Sequence, residues 1–221
     1  MEELTLDKLR GIPQNGPTDP INYYRRPLVG ILFRRRINLG LRLLPKRRYR
    51  RGLEVGYGSG SLLPTLSAGV QEMHGIDLDA DPVPVRQLIE RRGHHAHLLQ
   101  GSVYDLPYPD EHFDLVACFS TFEHLHQYQK GLSEVRRVLA PDGLFLLGMP
   151  AVNRTMEYLF HAIGHSTIDD IHVTTPRMVT EAFPAAGLAV ADAAFLDFPL
   201  PRPFGLRLYH NWLLRKSSAL T

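Results

Sequence analysis

With 221 residues and 44% hydrophobic content, the chain can bury one full core and a small cap, but hardly two independent domains. Its single cysteine, Cys118, excludes an internal disulfide and a cysteine-rich zinc module; it falls within the apolar run 115–119 and reads as a core filler. There is no secretory h-region and no apolar stretch of about eighteen residues, so cytoplasmic residence is expected and membrane spanning is not.

The formal charge of +2 hides an asymmetry. Eleven basic residues and no acidic one lie between Tyr23 and Arg51, which leaves 14 basic against 23 acidic residues elsewhere. Tyr24, Leu28, Ile31, Leu32, Leu39, Leu43 and Leu44 approximate one apolar helix face ahead of Pro45, so residues 1–48 read as a basic amphipathic helical arm through Leu44. Three uses are open for residues 23–51. The arm can cover the core with its arginines in water, lie on an anionic membrane surface as a peripheral attachment, or grip phosphate. Nucleic acid ranks below lipid, because no base-stacking module or zinc finger accompanies the arginines and the body is acidic.

A strand near Gly52 to Gly56 runs into Gly56-Tyr57-Gly58-Ser59-Gly60 and then a helix from about Ser61 to Ala68. Glycines at alternating positions remove side chains where the backbone turns sharply and a ligand approaches N–H groups at a helix start. A second strand, Glu72 to Asp77, ends in a carboxylate suited to accept from both hydroxyls of a ribose. The glycine spacing is tighter than the dinucleotide pattern, so a nucleoside cofactor without a pyrophosphate fits better than NAD. Asp81-Pro82 opens a helix to Arg91. Strands follow at His97 to Gln100 and Phe113 to Cys118, then a helix over Gln129 to Leu139 and a strand over Leu144 to Met149. This alternation predicts an α/β fold with a mostly parallel sheet covered on both faces.

These segments, with Leu106-Pro107-Tyr108-Pro109-Asp110, Phe113-Asp114-Leu115-Val116, Glu123-His124-Leu125 and Arg137-Val138-Leu139-Ala140-Pro141-Asp142-Gly143, resemble the class I S-adenosylmethionine-dependent methyltransferases, in their broad small-molecule branch. The resemblance covers roughly residues 50 to 150. It implies a Rossmann-like, seven-stranded domain over residues 49–221 and S-adenosylmethionine as cofactor. Gly56, Gly58 and Gly60 would pass beneath the methionine part of the donor, Glu54 would lie near its amino group, and Asp77 would hold the ribose. Leu78 and Val103 would flank the adenine, Ser102 would stand where many relatives have an aspartate, and Phe119 would close the fourth strand beside the donor. Tyr57 replaces a small residue of the family and either walls the pocket, projects toward the acceptor or packs. Pro141-Asp142-Gly143 replaces a two-glycine turn, with Asp142 expected to tolerate a left-handed backbone.

Methyl transfer asks the protein mainly to place an acceptor in line with an activated methyl group. An alcohol or phenol also needs a base, and His124 after the fourth strand is the leading candidate, with Glu123 and His126 beside it. An insertion around 151–176 is expected to supply the acceptor pocket. His172 there either faces the acceptor or braces the junction to a helix capped by Thr174 or Thr175. The sequence Asp169-Asp170-Ile171-His172 does not by itself call for a dedicated metal. Beyond Gly187, a strand over Leu188 to Asp192 and a last element from Gly205 to Lys216, strand or helix, flank a proline-rich loop read as a lid or a packed connection. Trp212 reads as core. The expected acceptor is a small or lipid-like molecule methylated at oxygen, nitrogen or carbon. A nucleic-acid methyltransferase and a noncatalytic donor-binding regulator are the alternatives.

Overall fold

The computed structural model describes residues 2–16, 19–151, 172–198 and 206–217. Seven strands form one sheet in the order β3-β2-β1-β4-β5-β7-β6. They are β1 (Tyr49–Val55), β2 (Val70–Asp77), β3 (His97–Gln100), β4 (Phe113–Phe119), β5 (Leu139–Pro150), β6 (Leu188–Phe198) and β7 (Leu206–Lys216). Neighbouring strands from β3 to β5 pair in parallel, and β7 is antiparallel to both β5 and β6. The element ending at Lys216 is thus a strand, and the expected Rossmann-like architecture is the one observed.

Period-two alternation sorts the strand residues onto two faces. Leu115, Ala117 and Leu146 enter a cluster with Leu63, Leu66, Val85 and Ile89 from helices α3 (Leu63–Ser67) and α4 (Pro82–Glu90). Val116, Cys118, Phe145 and Leu147 enter another with Leu132, Val135, Val179 and Phe183, from the region of α5 (Tyr128–Val138) and α6 (Pro176–Ala182). Both faces are covered, which is why these strands read as continuous apolar runs. Cys118 and Trp212 are core residues, the indole standing edge-on to Phe183. Local caps fix two helix starts: Asp81 accepts from Val83 N with Pro82 next to it, and Thr175 accepts from Met178 N ahead of Pro176.

Three expectations need correction. The arm is two helices, α1 (Ile21–Arg25) and α2 (Val29–Leu41), rather than one through Leu44. Pro27 holds Arg26 extended, at φ −61° and ψ 141°, and breaks the first helix there. The strand expected from Gly52 begins at Tyr49, so Arg50 and Arg51 belong to the sheet. Pro141, Asp142 and Gly143 lie within β5, and Asp142 is not left-handed. The added residues are taken up as a register shift opposite Phe113 and Leu115, with Gly143 tight against the Phe113 carbonyl.

The arm joins the domain core. Leu4, Leu9, Ile12, Ile21, Tyr24, Phe33, Ile37, Leu41 and Leu44 are all buried in the cluster that contains α3 and α4. Its arginines do not all point into water. Arg36 is buried, with its guanidinium carbon 4.3 Å from the Phe33 ring centre and 4.8 Å from that of Tyr209. Cation–π contact substitutes for part of the lost hydration, and Nη2 donates to the Tyr24 hydroxyl at 3.2 Å.

Candidate active site

The carboxyl ends of β1, β2 and β4 frame a site in which the glycine loop supplies backbone rather than side chains. Gly56, Gly58 and Gly60 have φ of 78°, 51° and 73°, in the left-handed region. A Cβ on Gly56 would overlap the Thr121 hydroxyl, and one on Gly60 would lie 2.5 Å from a Val85 methyl carbon. Gly58 N donates to Asp77 Oδ2 at 2.8 Å, tying the loop to the end of β2. Asp77 Oδ1 accepts from Asp79 N and Ala80 N, each at 2.9 Å. Three backbone donors therefore orient this carboxylate before any ligand arrives.

Glu54 is the electrostatic anomaly of this wall. It is buried, its Oε2 has no hydrogen-bond partner, and burial followed by the nearby Asp77 charge pushes its carboxyl well above the ordinary range. A buried carboxylate in this state is costly unless a cation or donor meets it. The ammonium of an amino-acid ligand has that chemistry. Orphaned Glu54, the left-handed backbone of Gly56, Gly58 and Gly60 and oriented Asp77 together fit an aminoacyl nucleoside such as S-adenosylmethionine.

Leu78 is 62% exposed beside the site, whereas Val103 is buried in the core. Ser102 Oγ accepts from Tyr104 N at 3.2 Å, so its hydroxyl shapes its own turn. Of the uses open for Tyr57, the structure has packing: the buried ring lies against Gly75 and its hydroxyl donates to Ala80 O at 3.3 Å. Phe119 packs against Gly40 and Gly148, turning the end of β4 toward α2 and β5.

Two residues of the arm reach the glycine loop. Asn15 Nδ2 donates to Gly58 O at 3.2 Å and Asp81 O at 2.9 Å, while Ser59 Oγ donates to Asp19 Oδ1 at 3.3 Å. Burial raises the Asp19 carboxyl above its ordinary range, although it accepts from Asn15 N and Ile21 N. Neither was singled out in the sequence. Their turn-forming setting, Asn15-Gly16 and Asp19-Pro20, was the available signal.

A second group assembles beyond β4. Ser120 has φ of 55°, and its hydroxyl pairs with the Tyr209 hydroxyl at 2.9 Å. Left-handed backbone at a non-glycine residue redirects the chain sharply. The next residues form a 3₁₀ turn, Phe122–His124. Glu123 O accepts from Val173 N at 2.8 Å and Thr174 N at 3.1 Å, and Thr174 Oγ1 donates to Leu125 O at 2.6 Å. These bonds return the distant segment to the turn, bringing the His124 and His172 ring centres within 5.1 Å. Glu123 is buried with Oε2 unpartnered, and burial raises its carboxyl. One possible ligand atom from each of Glu123, His124 and His172 lies within 4.8 Å of the others. His126 belongs to the turn that follows. Most of the 151–176 insertion, including Asp169 and Asp170, and the loop 199–205 lie outside the described residues.

A glycine turn after the first strand, an acidic end to the second and an antiparallel seventh strand define the class I S-adenosylmethionine-dependent methyltransferase fold. Residues 53–147 match the family described as a methyltransferase domain, and the fold is that of the class I family. It is 35% identical over 103 residues to the uncharacterized methyltransferase YcgJ of Bacillus subtilis, covering 46% of this chain and 41% of that protein. It is also 35% identical over 121 residues to a demethylmenaquinone methyltransferase of Thermus thermophilus, covering 53% of each. A fatty-acid O-methyltransferase of Mycolicibacterium smegmatis is 36% identical over 101 residues, covering 44% of this chain and 36% of that one. The chain thus spans about half or less of the length of these relatives. The crystal structure of Bacillus YcgJ superposes with a TM-score of 0.64 at 19% identity, covering 83% of this chain and 99% of that one.

Proposed function

We propose that the chain transfers a methyl group from S-adenosylmethionine to an oxygen atom of a small or lipid-like acceptor. The observation that carries this reading is that two unlike groups stand at the ends of the paired strands β1 and β4, where Thr121 meets Val55 O and Gly56: the Glu54, glycine-loop and Asp77 wall, and the Glu123, His124 and His172 group. When bound, the donor supplies a methyl group already activated by its sulfonium. Glu54 compensates the donor's ammonium, the glycine backbone passes beneath its amino-acid part, and Asp77 accepts from the ribose. Leu78, Val103, Ser102 and Phe119 complete the surroundings, with Tyr57 packed behind them against Gly75. His124 or His172 receives the acceptor's hydroxyl proton at an imidazole nitrogen, a task suited to neutral pH.

The test is incubation with methyl-labelled S-adenosylmethionine and fractionated cell extracts, including lipids, followed by mass spectrometry. Label in an ether or ester oxygen position supports the reading. Label confined to nitrogen or carbon, or in nucleic acid alone, overturns it.

A lipid-like acceptor has its own support in α2. Leu28 is 79% exposed and Ile31 52%, and exposed Arg35 continues that row at helical spacing. No acidic residue interrupts the segment from Tyr23 to Arg51. We propose that this face rests on anionic lipid, apolar side chains entering the interface and arginines meeting headgroups. No described helix is long and apolar enough to cross a membrane. Flotation should recover the protein on anionic vesicles, with loss in Leu28→Glu; equal recovery on neutral vesicles overturns the surface proposal.

A further inference from the structure

The methyl-transfer reading gives the Glu123 carboxylate no role, although it occupies the best-buried position in the histidine group and its Oε2 has no hydrogen-bond partner. We infer that Glu123, His124 and His172 form a binding site for a first-row divalent cation of the zinc, cobalt or manganese kind. This inference rests on that reading only for the cation's use, not for its binding.

The donor set is two imidazoles and one carboxylate, each contributing a ligand atom within 4.8 Å of the other two. Such a combination suits borderline first-row ions and leaves coordination positions open. Metal–ligand bonds of about 2.0–2.2 Å place adjacent ligand atoms about 3–3.5 Å apart. Closing the group therefore requires roughly an ångström of side-chain movement. His124 and His172 are only partly buried.

Glu123 gives the independent indication. It is buried, and its Oε2 has no partner. A carboxylate oxygen withdrawn from water without a donor is costly, and a cation beside it removes that cost. The backbone is committed to this arrangement, since Glu123 O holds the segment bearing His172 through Val173 N and Thr174 N. The ligands are thus joined by hydrogen bonds that do not consume their side chains. With the cation bound, His124 and His172 would act as its ligands in place of the base role given above; an open position would receive an acceptor hydroxyl and favour its ionised form, the proton passing to solvent water. Paired oxygens on one acceptor would bind through both, so the site selects for catechol-like or hydroxy-carbonyl groups.

The test uses the full chain, chelator-treated and dialysed. Co²⁺ is added while its ligand-field absorbance is followed, Zn²⁺ serves as competitor, and Mg²⁺ as the hard-ion control. One equivalent of Co²⁺ should bind and be displaced by Zn²⁺ but not by Mg²⁺. His172→Ala should weaken Co²⁺ binding at least about tenfold, and Glu123→Gln should do the same, while both variants retain S-adenosylmethionine binding by calorimetry. The second ligand variant guards against a folding defect in the buried Glu123 position. Failure of donor-competent protein to bind Co²⁺, or unchanged affinity in His172→Ala, overturns the site. Full methyl transfer by demonstrably metal-free protein overturns its use. Cation binding without methyl transfer to any acceptor would instead count against the function proposed above and leave the site standing.

Discussion

The two walls proposed above for donor and acceptor are built by opposite means. At the ends of β1 and β2, the proposed donor surface is backbone: three left-handed glycines and a carboxylate fixed by three N–H donors. Beyond β4, it is side chain: a buried glutamate and two histidines from segments almost fifty residues apart, gathered by bonds to Glu123 O. Both walls contain a buried glutamate with an unpartnered oxygen, Glu54 on one and Glu123 on the other. A backbone surface suits a ligand whose shape never changes, such as a common donor. A side-chain surface can be altered without remaking the fold and suits an acceptor that differs between relatives.

The comparison breaks most visibly at Gly56. Gly56→Val places a branched side chain against Thr121 at φ of 78°, and calorimetry should find donor affinity lost by more than about 100-fold, with stability lowered by ~2–5 kcal/mol. Retained affinity would show that the loop is not the donor cradle. On the other wall, His124→Ala should lower turnover by about 10²–10⁴-fold with donor affinity unchanged, measured as S-adenosylhomocysteine formation with the authentic acceptor. An unchanged rate removes His124 from the chemistry.

Glu54→Gln sharpens the contrast, because stability and affinity should move in opposite directions. The folded-state pKa of Glu54 is raised, so stability is present while the group is protonated and is lost as pH rises through that folded value. The amide removes this loss: the ligand-free variant should melt higher than the parent at pH 8, while donor affinity falls about 10-fold or more for want of the charge. A parallel fall in both would mean that Glu54 is structural.

The smallest expected effect lies away from both walls. Burial depresses His210 to about 4 from an ordinary 6.5. The unfolded chain therefore takes up this proton first as pH falls, and stability declines between roughly pH 6.5 and 4. His210→Gln should flatten that part of a melting-temperature profile without altering donor binding.

What was legible in the sequence follows the same division. The glycine loop, Asp77, the Asp81 and Thr175 caps and the alternating strands are local signals, readable over a few neighbouring residues. Glu54 was visible only through resemblance, since nothing nearby indicates that its carboxylate will be orphaned. Asn15 was not visible as a site residue because its partners, Gly58 and Asp81, lie 43 and 66 residues away. His124 and His172 were each plausible, but their meeting depends on Ser120 turning left-handed and on the Glu123 carbonyl. Arg36 misled because charge predicts exposure, whereas the rings of Phe33 and Tyr209 supply a nonaqueous setting for a cation.

The hydrogen bond from Asn211 Nδ2 to Arg36 O joins residues 175 positions apart, and β7 lies between β5 and β6. During synthesis, α2 thus emerges long before the strand that will anchor it. Helix α2 is made before β5, β6 and β7, the strands it packs against, so a nascent chain carries this basic and partly apolar helix without them while the sheet is assembled. Translation pauses ahead of β7 should therefore prolong exposure of that segment, and a chaperone that shields it would act on the beginning of the chain to protect the completion of its end.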